Sequence, residues 1–144
     1  MQLDIFKANM LTPGLNGRWG LPRLYWGPPG IGKSSRTNAV VHSLGMDCIV
    51  ILSSVRDPSD FIGLPCFKDM LLGEETIRAT GYSTPDWAIE AARAKRAVVF
   101  FDEVTLCSPA TQAALLRVIL EGVVGDFELP PTVRFVAAGK PGAM

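Results

Sequence analysis

The residues most able to do chemistry in this chain are Gly27, Pro28, Pro29, Gly30, Ile31, Gly32, Lys33 and Ser34. They match the phosphate-binding loop pattern G-x-x-x-x-G-K-[ST] at every fixed position. The glycines let the backbone wrap tightly, with N–H groups turned inward at phosphate oxygens. Lys33 can reach the β- and γ-phosphates, and Ser34 can ligate Mg²⁺. A helix that starts here adds the partial positive charge of its N-terminus. With Ser35 these residues form the candidate cofactor-binding set, and the cofactors they call for are ATP and Mg²⁺. A plain Gly/Pro turn between two elements would account for Gly27 to Gly30, but it gives no reason for Gly-Lys-Ser after them.

A second group lies about seventy residues on. Val98, Val99, Phe100 and Phe101 are followed directly by Asp102 and Glu103. A buried strand would deliver these acids to the carboxyl edge of a sheet, where ligands of α/β folds bind. Asp102 suits Mg²⁺, usually through water. Glu103 suits the orientation and deprotonation of an attacking water. Alone, the pair also reads as a cap on the loop before a helix at Ser108. Together with the upstream loop it reads as the second half of a nucleotide site, with Lys33 and Glu103 as the catalytic pair.

These groups need elements to hold them. The run Leu24, Tyr25 and Trp26 predicts a short strand at 22–26, directly before the loop. A helix follows to Leu44, with Val40, Val41 and Leu44 at helical spacing and Gly45 beyond its end. Residues 48–52 form a continuous apolar run, which predicts a strand buried on both faces of a parallel sheet. Residues 53–65 read as loop. A hairpin is expected with strands at 66–69 and 75–80, joined around Gly73 and Glu74. Thr84, Pro85 and Asp86 predict an N-cap with proline at the first helical position, and a helix to about Lys95. After the strand at 97–101, Ser108 and Pro109 repeat that signal. The helix there runs to Glu121 and stops at Gly122. Gly125 and Asp126 mark a short hairpin within 123–129, and a final strand covers 133–138. In the N-terminal segment, 1–20, Leu3, Ile5, Phe6 and Met10 suggest a short amphipathic helix, and turn residues follow it. Alternating strands and helices predict one α/β domain with a parallel sheet.

Composition narrows the function classes. The chain has 144 residues, 48% of them apolar, which is enough for one domain with a core and argues against disorder. Lys plus Arg and Asp plus Glu number 14 each, so no overall basic excess points to nucleic acid. Cys48, Cys66 and Cys107 are widely spaced, and His42 is the only histidine, so no common zinc pattern is present. Reduced thiols in a cytoplasmic protein are the expectation. No apolar run approaches the roughly 18 residues of a membrane span, and no signal peptide is apparent.

The two motifs resemble the Walker A and Walker B motifs of AAA+ ATPases. Asp60-Phe-Ile-Gly63-Leu-Pro, Pro85-Asp-Trp87-Ala, Gln112-Ala-Ala-Leu-Leu-Arg117 and the segment 129–138 are similar to the MoxR-like, dynein-related branch. The resemblance covers about residues 20–141. It implies a P-loop NTPase core at 21–144 with a sheet ordered 5-1-4-3-2. It also implies a hexameric ring and ATP-driven remodelling of client proteins, often with a von Willebrand factor A-domain partner. No nucleic acid or membrane is indicated as a partner.

The chain departs from that family in two ways. Where members carry asparagine after the fourth strand, the sequence here is Ala138-Gly139-Lys140-Pro141. Lys140 is either a substitute sensor or a solvated tail residue. The fifth strand, an arginine finger and a helical lid are not found before Met144, so the expectation is a truncated core with weak hydrolysis in isolation. Arg117 and Glu121, four apart on one helix, read as a surface pair rather than a finger. His42 reads as a helix-face residue, and Trp26 and Trp87 as core or partner-facing groups. A non-hydrolysing nucleotide-binding module and a P-loop small-molecule kinase are the competing readings. The kinase lacks a visible arginine-bearing lid and acceptor site.

Overall fold

Alternation along two apolar strands builds the centre of the molecule. The computed structural model describes residues 3–14, 17–27 and 33–140. The strands are β1 (Arg23–Trp26), β2 (Asp47–Leu52), β3 (Pro65–Leu72), β4 (Glu75–Tyr82), β5 (Ala97–Asp102), β6 (Val123–Val124), β7 (Phe127–Glu128) and β8 (Val133–Gly139). The helices are α1 (Leu3–Met10), α2 (Lys33–Ser43), α3 (Ser59–Ile62), α4 (Asp86–Ala94) and α5 (Pro109–Glu121). Among the described residues, β1, β8, β5 and β2 form one sheet in that order, with every pairing parallel.

In β5, Val98 and Phe100 point to one side and Val99 and Phe101 to the other, and all four are fully buried. Successive residues of a strand face opposite ways, so a continuous apolar run needs cover on both faces. One face packs with Met10 of α1 and with Val40 and Val41 of α2. The other packs with Phe61, with Trp87 of α4 and with Leu115 and Val118 of α5. Phe61, Trp87 and Phe101 meet edge to face, with centroids 5.8–6.3 Å apart. The Trp87 indole N–H donates to the Asp60 carbonyl at 2.6 Å, so this large side chain is buried with its polar group satisfied.

The N-terminal segment is tied to the start of β8 and the chain just before it. Arg18 donates to the carbonyls of Leu129, Pro130 and Val133 at 3.1, 3.1 and 3.3 Å. The buried Arg134 donates to the carbonyls of Met10 and Thr132. Burial lowers the pKa of both guanidinium groups.

Several expectations change. The run at 48–52 is covered on one face only. Ile49 and Ile51 are buried, but Val50 and Leu52 are 45% and 43% exposed, because β2 is the last strand of the sheet and the opposite face is packed only at Cys48. The stretch 53–65 is not all loop. It holds a 3-10 turn, Ser53–Val55, and the short helix α3, which carries the buried Phe61 into the aromatic cluster. The β3–β4 hairpin is longer than its apolar pattern suggests. Pro85 is the N-cap of α4 rather than its first helical residue. With ψ at 150° it stays extended, offers no side-chain acceptor, and its carbonyl accepts from Ala88 and Ile89.

The Ser108 signal holds. Its hydroxyl accepts from the Thr111 N–H at 3.2 Å, Pro109 opens α5, and Gly122 ends it with φ at 69°. Arg117 Nε pairs with Glu121 Oε2 at 3.0 Å on the exposed face of α5. His42 is exposed on α2, and no helix of the described residues is long and apolar enough to cross a membrane.

Candidate nucleotide site

All four strands of the sheet run the same way, so their carboxyl ends share one edge. That edge gathers Gly27 after β1, Ser53 and Ser54 after β2, Asp102 and Glu103 at the end of β5, and Lys140 after β8. β1 and β5 stand two strands apart, about 10 Å at ordinary sheet spacing. The chain leaving β1 enters residues 27–34, and α2 begins at Lys33. Pro28, Pro29, Gly30, Ile31 and Gly32 lie outside the described residues, as do the side chains of Lys33 and Ser34. Gly27 is described, and its N–H donates to the Gly139 carbonyl at 3.1 Å. Ser35 is exposed on the first turn of α2.

The acidic pair is held by a small hydrogen-bond system. Glu103 adopts a left-handed conformation, φ 55° and ψ 40°, one of two non-glycine residues with positive φ among those described. Its N–H donates to Asp102 Oδ1 at 2.9 Å. Its carboxylate Oε2 accepts from the Ser54 hydroxyl at 2.6 Å. The backbone reversal at this point swings the Glu103 side chain towards the end of β2, where Ser54 meets it. Such backbone conformations are costly for a residue with a Cβ and concentrate at functional sites. The loop that follows is fixed by Gln112, whose side-chain amide donates to the carbonyls of Val104 and Cys107 at 3.1 and 3.4 Å.

At the end of β8, the Lys140 N–H donates to the Thr105 hydroxyl at 3.0 Å. Gly139 lies so close that a Cβ there would sit 2.7 Å from the Thr105 methyl and 3.4 Å from the Trp26 ring. β1, β8 and the segment after β5 therefore meet closely at the carboxyl end of β1. Lys140 itself is exposed.

The donor set suits Mg²⁺ with a phosphate ligand. Among the described residues, no cluster of three or more His, Cys, Asp or Glu could hold a metal by protein groups alone. Two adjacent acids at the end of β5 match an ion that takes one or two carboxylates and completes its shell with water and phosphate oxygens. Cys107 lies beside the acidic pair, its thiol donating to the Glu103 carbonyl at 3.8 Å. Burial pushes the Cys48 thiol up to about 11, and burial with the nearby Glu103 charge raises Cys107.

A family model for ATPases associated with various cellular activities, AAA, matches residues 23–140. The chain belongs to the AAA family. Its fold is the α/β core of AAA+ P-loop NTPases, with a parallel central sheet. No curated protein sequence matches it. Solved structures of RuvB from Thermotoga maritima are similar in fold. One point mutant superposes with a TM-score of 0.60 at 18% identity, covering 99% of this chain and 39% of that one. A second, described as the Holliday junction branch migration motor, gives 0.57 at 17% identity, with 98% and 38% covered. The chain thus spans well under half the length of these relatives, and the likeness at such identity concerns the fold alone.

Motif spacing singles out neither Ser54 nor Thr105, and it gives Gln112 no part in the site. Ser53 and Ser54 do carry a signal: two small polar residues directly after an apolar strand, at the edge where the acids end.

Proposed function

We propose that this AAA-family chain binds Mg·ATP between the loop after β1 and the acidic end of β5, and hydrolyses it. The observation that carries the reading is the shared carboxyl edge. The Gly27 to Ser34 loop and the Asp102–Glu103 pair come from strands separated only by β8, and the loop leads straight into the N-terminus of α2. In this reading Gly27, Pro28, Pro29, Gly30, Ile31 and Gly32 surround the phosphates with backbone N–H groups. Lys33 offsets phosphate charge, Ser35 completes the cofactor-binding set, and Ser34 and Asp102 are the metal ligands. A bound Mg²⁺ would supply neutralisation of charge on the phosphates.

Glu103 acts as the base that orients and deprotonates water. The Ser54 hydroxyl, 2.6 Å from its carboxylate, holds that side chain towards β2. Glu103→Gln keeps the shape and an acceptor for Ser54 but removes the base. ATP binding should persist while turnover falls. Equal turnover in the variant would remove Glu103 from this role. Binding by the native chain with no turnover at all would favour a non-hydrolysing nucleotide module.

The segments that resemble the MoxR-like branch support a finer proposal: ATP use is coupled to remodelling of client proteins, in a self-associated ring or with a von Willebrand factor A-domain partner. The RuvB motor instead drives branch migration at Holliday junctions. The equal numbers of acidic and basic residues in this chain supply no overall attraction to nucleic acid.

A further inference from the structure

β2 is an edge strand with nothing to guard it. Its six residues pair with β5 on one side, and among the described residues no strand pairs on the other. Sheet edges that stay free of partners are commonly blunted by a charge, a proline or a bulge. Residues 48–52 are all apolar and carry neither charge nor proline. They pair with β5 in unbroken register, so no bulge turns the edge away. The backbone groups along this edge are open to another strand.

The two faces beside this edge differ. Side chains alternate along a strand, so Ile49 and Ile51 lie on one side of the sheet and Val50 and Leu52 on the other. Ile49 and Ile51 are buried on the α4 side with Trp87, whereas Val50 and Leu52 stand exposed. On the α4 side a cavity of about 490 Å³ opens between β2, α3 and α4. Its charged lining residues are Arg56, Asp60, Asp86 and Glu90. Arg56 is taken up by Asp60, its guanidinium 3.5 Å from the carboxylate. Asp86 and Glu90 stand four apart on α4, which sets them on one side of the helix. Both are exposed, and neither pairs with a cation among the described residues. The cavity therefore carries two uncompensated carboxylates on the side to which alternate residues of an added strand would point.

We propose that β2 and this cavity bind an extended peptide segment in which basic and apolar residues alternate, added to the sheet as a strand beside β2. Its basic side chains enter the cavity towards Asp86 and Glu90, and its apolar ones cover Val50 and Leu52. Main-chain hydrogen bonds hold such a peptide, and its alternate side chains select it.

Charge decides between this occupant and a second copy of the chain. Continuing the sheet by pairing β2 with another β2 would set the α4 sides of both copies together. The Asp86 and Glu90 carboxylates of each would then face those of the other, and like charges brought together oppose association. A basic segment meets them with the opposite sign. The surface shares no residue with the proposed nucleotide site, so its occupancy stands apart from that reading. β2 is about 20 Å long at ordinary strand rise, which a peptide of about six residues spans.

Fluorescence anisotropy and amide exchange on the full chain test it. The probe is a labelled, end-capped hexapeptide that alternates lysine and valine. One control has the same composition in two blocks, three lysines and then three valines; the other carries glutamate in place of lysine. The alternating probe should bind, and both controls should bind at least about tenfold more weakly. With the probe bound, outward-facing amides within 48–52 should exchange at least about tenfold more slowly, while those of β8 are unchanged. Glu90→Lys, at an exposed position of α4, should weaken the lysine probe about fivefold and strengthen the glutamate peptide, a reversal that loss of fold cannot produce. Equal affinity for the block peptide would reduce the effect to unspecific charge attraction and overturn the proposal. So would no binding, binding that leaves 48–52 unprotected, or a native dimer in which those amides are already protected.

Discussion

The left-handed backbone at Glu103 permits a test by sign rather than by size. Replacing Glu103 with alanine removes the hydrogen bond to Ser54 and keeps the φ of 55°. Replacing it with glycine removes the same bond but relieves the conformation, which costs a residue with a Cβ about 1–2 kcal/mol. Glycine gives back about 0.4–1 kcal/mol through the greater freedom of the unfolded chain. Glu103→Gly should therefore be more stable than Glu103→Ala by about 0.5–1 kcal/mol. At a position of ordinary φ the order is reversed, with alanine ahead by a similar amount. Urea unfolding of the two variants reads the difference as a midpoint shift of about 0.4 M for an m-value near 2 kcal/mol/M. Both variants should lose turnover. A residue that strains the fold and is still needed for activity is what a site held for chemistry predicts. An alanine variant as stable as the glycine variant, or more so, would refute the argument.

Two further outcomes follow from burial. β1 pairs with β8 alone among the named strands, and Leu24 and Trp26 are 44% and 47% exposed, so amides of 23–26 should exchange at least about tenfold faster than Val99 and Phe100 in β5; equal protection would contradict this. Cys48, with its thiol raised to about 11, should be alkylated slowly near neutral pH, and its rate should climb through pH 8–10 in the folded chain. The linked effect on stability has a definite sign: the unfolded thiol ionises first, so stability should decline as pH rises from about 9 towards 11.

The parts of the fold that could be read from the sequence are those where one residue type answers one physical demand. The place of Asp102 and Glu103 at the end of β5 was legible because an apolar run covered on both faces stops where charged residues begin. Ser108, Pro109 and Gly122 marked the ends of α5 because a hydroxyl acceptor, a missing N–H and a positive φ are local needs. Phe100 and Val136 could be placed in a two-sided core because unbroken apolar runs must be covered twice. The exposure of Val50 and Leu52 could not be read, since it depends on which strand ends the sheet. The bond from Ser54 to Glu103 depends on the register of β2 against β5, which aligns Leu52 with Asp102 and is a non-local fact. The close approach of Gly63 to Ser83 and of Gly125 to Ile62 was hidden for the same reason: it joins segments that are distant in the sequence.

The central claim is that the loop after β1 holds phosphate, and calorimetric titration of Mg·ATP into the native chain and Lys33→Ala tests it most directly. The account predicts measurable binding by the native chain and at least tenfold weaker binding by the variant, about 1.4 kcal/mol. Equal affinity in the two, or no binding by the native chain, would contradict it.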